Sequence, residues 1–143
     1  MLILRAHALY LGIASVTAFL FMDMRGWLFN AGPVRHVIAD APHTVIGFVE
    51  AHGLAFILAV LFWRAAPVRF WNLTAMATAA LLGVSNLVFW QLFVVSDALV
   101  AGYVTTGLHL TFTGLEAYAA FAAQPESSYF GATSTRSVHS RLS

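Results

Sequence analysis

From Trp71 to Val95 the chain carries no charged side chain. A run of that length is what an α-helix needs to cross a bilayer, roughly 20 apolar residues at about 1.5 Å each. Three further runs meet the same requirement: Ile3 to Met22, Thr44 to Trp63, and Ala98 to Ala123. A backbone in lipid has to satisfy its hydrogen bonds within its own segment. The expectation is therefore an all-α, polytopic membrane protein with four transmembrane helices in an antiparallel up-down bundle. Composition agrees, with 60% hydrophobic and 9% charged residues, where a soluble domain carries about 25% charged.

The boundaries between these runs have a chemical basis. Met22 is followed by Asp23, Arg25 and Gly26; Pro42 precedes the second run; Arg64, Pro67 and Arg69 separate the second from the third. Ser96 and Asp97 stand where a side-chain oxygen caps the first turn of the fourth. Trp27, Trp63 and Trp71 fall at span ends, where an amphipathic ring is favoured. Arg5 ahead of an apolar run and Val16-Thr17-Ala18 has the outline of a signal peptide, but the run continues to Met22 and reaches spanning length.

Two segments lie outside the spans. The 23–43 connection contains "PVRHVIADAP", in which Pro33 suits a helix start and Val34, Val37, Ile38 and Ala41 recur at helical spacing. A short amphipathic helix over 33–41, resting on the membrane surface, is expected. Residues 124–143 are rich in Ser and Thr and are expected to form a disordered cytoplasmic tail. Arg5, Arg64, Arg69, Arg136 and Arg141 share one side of a four-span chain, and only Arg25 and Arg35 the other. The positive-inside rule then places both termini in the cytoplasm of a cell membrane. The absence of Lys alongside abundant Ala and Arg suggests a bacterial inner membrane.

Absences narrow the chemistry. Without cysteine there is no disulfide, thiolate, iron–sulfur or c-type haem attachment. Without lysine there is no Schiff base to retinal or pyridoxal phosphate. A formal charge of +1 gives no drive toward nucleic acid.

What remains is a set of polar residues within apolar runs, which usually face a bundle interior, a water-filled cavity or a partner. They are Glu50, His52, Asn86, His109 and Glu116, with His7 nearer the N-terminus. In the fourth run Gly102, Thr106, His109, Thr113, Glu116 and Ala120 alternate steps of three and four, which makes one seam turned to neighbouring helices. In the second, Glu50 and His52 are two residues apart, about 200° around a helix, and cannot share a face. Between them Gly47, Ala51, Ala55 and Ala59 form a small-residue stripe suited to close helix approach. Glu50, lacking a nearby Lys or Arg, is expected to be protonated or held by His52, His109, Asn86 or a second subunit.

Several functions are compatible with this pattern. The first is a protein whose Glu/His/Asn cluster binds a small lipophilic ligand or relays protons or ions. The second is an intramembrane acid–base enzyme acting on a lipid-soluble substrate. The third is a b-type haem protein ligated by His52 and His109. The fourth is a structural or assembly subunit of a membrane complex. His36, Asp40 and His43 have a four-then-three spacing that would align metal ligands, though Pro42 interrupts the helix this requires. Four short helices enclose little volume, so a homo-oligomer is also considered.

Overall fold

The computed structural model describes residues 2–122, so the expected disordered tail lies outside the described part. Within it the chain is helical throughout. Helix α1 spans Leu2–Phe29 without interruption, 28 residues in all, and its Phe19–Met24 stretch is wound as a π-helix. Asn30 in the left-handed region caps it, and Gly32 turns the chain at a φ of 93° that a side chain would strain. A short helix α2, Arg35–Asp40, leads to α3, Thr44–Arg64, and α4, Arg69–Val88. After a one-turn-long segment, α5 (Trp90–Val95), the 24-residue α6, Leu99–Ala122, returns along the bundle.

Two boundaries differ from the sequence expectation. The first helix does not stop at Met22: the π turn carries it through Asp23 to Phe29, absorbing the polar residues read as a break. The third run is divided at Phe89, whose φ of −100° and ψ of 28° leave helical geometry, so α4 ends at Val88. No charged or proline residue announces this bend.

Helices α1, α3 and α4 are each long and apolar enough to cross a membrane. The expectation of four such helices is reduced to three on that criterion. Helix α6 has the length but also Thr105, Thr106, His109, Thr113 and Glu116, which dilute its apolar character.

The long helices pack as two antiparallel pairs, α1 with α3 and α4 with α6, joined where α1 meets α6 and α4. Small residues set the approach within each pair. Ala55 and Ala59 of α3 are buried, and a Cβ placed on Gly12 of α1 would lie 3.6 Å from that of Ala59. A Cβ on Gly83 of α4 would come within 3.3 Å of the Cβ of His109 on α6. One end of the bundle, which holds Leu2, Arg64 and Ala122 and is termed the near end, is filled by a core of Leu4, Ala8, Leu11, Ala55, Ala59, Phe62 and Ala75. Arg5 lies over the ring of Trp63 there, 5.7 Å from its centroid, at the distance of a cation–π contact.

At the far end α2 folds back onto α1. Val34 and Ile38 are buried, and Ile38 reaches so close to Gly26 that a Cβ there would meet it at 2.6 Å. The amphipathic segment thus turns its apolar side to the protein.

The polar and apolar distribution is inverted relative to a soluble bundle. Leu9, Ile13, Leu54, Ile57, Leu81, Val84 and Leu110 are exposed, while His7, Asp23, Thr106, His109 and Glu116 are buried. In a membrane, where lipid is as apolar as the core, the stability of such a bundle would depend on packing more than on burial as such. Phe62, fully buried, should therefore be costly to truncate: Phe62→Ala is expected to lose about 3 kcal/mol through the void it leaves. Phe121→Ala, at a site 78% exposed, should change little in the same detergent unfolding titration.

Candidate functional site

The far half of the bundle is hollow. A cavity of about 430 Å³ lies between the two helix pairs, with Leu11, Ala55 and Leu82 at the boundary with the packed core. Its wall is largely apolar, including Phe48, Phe89, Phe93 and Met22, and Val37 of α2 and Val34 just before it contribute at the far end. Of its eight polar lining residues, which include Ser15, Ser85 and Ser96, five bond to other side chains: Asp23, His52, Asn86, Thr105 and His109.

These five form two groups. In the first, His52 Nδ1 on α3 lies 2.6 Å from Asp23 Oδ2 on α1. Asp23 is 1% exposed and His52 is 26% exposed, so the carboxylate sits behind the ring and the imidazole is the reachable partner. The π turn explains the carboxylate's position, since the extra residue it inserts re-aims the side chains around it. In the second group, the Asn86 amide of α4 donates to Thr105 Oγ1 of α6 at 3.2 Å. The Tyr10 hydroxyl of α1 donates to the Thr105 carbonyl at 3.4 Å and lies 3.4 Å from His109 Nε2.

Below the cavity an aromatic ring separates these groups from a second buried polar pair closer to the near end. Phe112 of α6 is stacked on Tyr10 at 5.5 Å and on His7 at 4.6 Å between centroids. His7 Nδ1 lies 3.3 Å from Glu116 Oε1, and both side chains are fully buried. Each buried acid of the interior is thus matched with an imidazole, which lets the pair balance its charge in a medium that solvates charge poorly. His7 Nε2, His109 Nδ1, Asp23 Oδ1, Thr106 Oγ1 and Glu116 Oε2 are buried without a protein partner. Such atoms are rare and each calls for a reason.

The five sequence candidates separate accordingly. His52, Asn86 and His109 come together around the cavity, and Glu116 joins His7 beneath it. Glu50 joins neither group: it is exposed on α3 and takes no side-chain partner among the described residues. Only one of two residues 200° apart can face inward, and on α3 it is His52. The expected hold on Glu50 by His52, His109 or Asn86 is not present among the described residues.

Asp23, Tyr10 and Thr105 were not singled out from the sequence. Asp23 was hidden by its neighbours Arg25 and Gly26, which read as a helix end. A signal existed, because the buried α1 residues Leu4, His7, Leu11, Ser15 and Asp23 follow three- and four-residue steps and their multiples.

The two candidate haem ligands, His52 and His109, line the same cavity, each with one ring nitrogen engaged by Asp23 or Tyr10. Among the described residues no group of three His, Cys, Asp or Glu gathers in a metal-binding arrangement, and His36 is instead 3.0 Å from the Arg35 guanidinium. No family model, curated protein or solved structure matches the chain.

The buried His7–Glu116 pair yields a stability prediction. His7→Leu alone leaves a carboxyl without its partner and should cost about 3 kcal/mol in an unfolding titration. The double variant His7→Leu/Glu116→Leu should recover most of that loss.

Proposed function

We propose that this is an integral membrane protein whose bundle takes up one small lipophilic molecule in the far-half cavity, with its polar edge toward His52, Asn86, Thr105 and His109. The observation that carries the reading is the cavity itself: about 430 Å³, within the size range of small-molecule sites, apolar over most of its wall and polar at a few fixed points. A purely architectural set of polar residues would be expected to close on itself. Here His52 is left 26% exposed in a wall of Phe, Leu and Ala side chains.

In this reading α6 supplies a fourth span beside α1, α3 and α4. Its seam of Gly102, Thr106, His109, Glu116 and Ala120 is buried, and Val100, Tyr103, Val104, Leu110 and Phe121 face outward. The arginine distribution favours a cytoplasmic position for both termini in a bacterial inner membrane. Glu50, about 9 Å along α3 from Thr44, favours a second copy or a complex partner over that perimeter, since a carboxyl in contact with lipid is costly. The protonatable pairs Tyr10–His109 and, beyond the Phe112 ring, His7–Glu116 favour proton movement accompanying ligand binding as a second role of the same interior.

The test is saturable binding. In lipid nanodiscs, 1-aminoanthracene, a small lipophilic fluorophore, should bind the parent chain at one site. Ala51→Phe, which places a ring in the cavity wall, should weaken that binding about tenfold or more, roughly 1.4 kcal/mol. Non-saturable partitioning, identical for parent, variant and empty nanodiscs, would contradict the proposal.

A further inference from the structure

The arrangement around His52 specifies more than an apolar pocket. We infer that Asp23 and His52 form a proton-accepting dyad, and that the cavity's ligand is a lipophile bearing a weakly acidic hydroxyl, of the phenol class, whose proton His52 takes up. The inference rests on the ligand-binding reading above and deepens it.

Three observations carry it. Asp23 Oδ2 lies 2.6 Å from Nδ1 of the ring, an arrangement in which a carboxylate accepts hydrogen from Nδ1 and the Nε2 lone pair is left free. Asp23 is almost wholly buried while His52 is not, so an incoming molecule meets the imidazole and not the carboxylate. Both residues line the far-half cavity, which is apolar enough to prefer a ring and too poor in cations to hold a preformed anion. This order of carboxylate, imidazole and approaching hydroxyl is the geometry of a general base with its orienting group.

The other groups facing the cavity do not duplicate the role. From α4 come the uncharged Ser85 and Asn86, from α2 and the residue just before it the apolar Val37 and Val34, and from α6 Thr105 and His109. His109 is the other titratable group in that wall. Its Nε2 is engaged by Tyr10 and its Nδ1 is buried, so it is oriented by a neutral hydroxyl in place of a carboxylate.

The step is a proton transfer without redox change. The ligand O–H bond breaks, its electron pair stays on oxygen, and an N–H bond forms at His52 Nε2. The imidazolium then lies between the ligand oxyanion and the Asp23 carboxylate, so the charge separated in the step is stabilised from both sides. His52 is the group that touches the ligand, and Asp23 is a positioning residue.

The experiment uses 4-nitrophenol, whose ionisation is visible in its absorption, and 4-nitroanisole, which has no acidic proton, as a matched control. Both are titrated into the nanodisc-embedded full chain and into Asp23→Asn and His52→Gln variants. Bound nitrophenol should show the phenolate band at a pH about one to two units below that of the free probe. Asp23→Asn should bind both probes but shift the midpoint back by about one unit, and His52→Gln should abolish the shift.

Nitroanisole affinity should stay within about twofold between the parent and Asp23→Asn, a difference of under 0.5 kcal/mol. A parent that binds nitrophenol without any midpoint shift, or a shift of undiminished size in Asp23→Asn, overturns the dyad while leaving cavity binding intact. Failure of both probes to bind the folded parent overturns the cavity reading and the inference with it.

Discussion

Three helices long and apolar enough to cross a membrane are compatible with surroundings that cannot hydrogen-bond, and that constraint accounts for most of the placement of polar groups. In lipid a polar side chain on the perimeter of an apolar bundle would lose its partners, and, Glu50 apart, the ionisable groups of the long helices' apolar stretches turn toward one another across the helix interfaces. The consequence is an axis of polar contacts inside an apolar shell: Asn86 with Thr105, Tyr10 with His109, His7 with Glu116, and Asp23 with His52. These pairs connect helices that otherwise meet through small residues. They fix which faces of α1, α3, α4 and α6 point inward.

The same constraint explains why the cavity and the polar residues coincide. Close approach at Ala59 and Gly12, and at Gly83 and His109, packs each helix pair tightly, while the two pairs join most fully around the Phe62 core. Toward the far end they separate, and α2 folds across the opening, held by Val34 and Ile38. Polar atoms at that level have neither a tight helix neighbour nor bulk water. Asp23, His52, Asn86 and His109 are therefore arranged about a space, and that is the physical ground for the binding proposal.

Much of the fold was readable from the sequence because length and apolarity alone place helices in a chain of this kind. The seam of α6 was equally readable, since alternating steps of three and four define a face whatever it packs against. The structure buries Gly102, Thr106, His109, Glu116 and Ala120 on it. The parity of Glu50 and His52 was also legible, but not which of them faces inward. That choice depends on Asp23, 29 residues away on α1, and on a π turn with no sequence signature. The bend at Phe89 escaped for a similar reason: it leaves an apolar run unbroken and is set by packing around Phe93 and Gly102, which approach closely. Apolarity per helix was the less dependable guide on α6, where the polar residues that lower it are those turned away from the perimeter.

The central claim is that the polar interior exists to receive a small molecule and does not serve helix association alone. Native mass spectrometry of the full chain ejected from membrane fragments tests it directly, reporting retained small molecules and copy number together. The account predicts a discrete non-phospholipid adduct, one per chain, present on the parent and lost from an otherwise folded Ala51→Phe variant. A parent that emerges bare, or carrying only phospholipid at the same level as the variant, would contradict it.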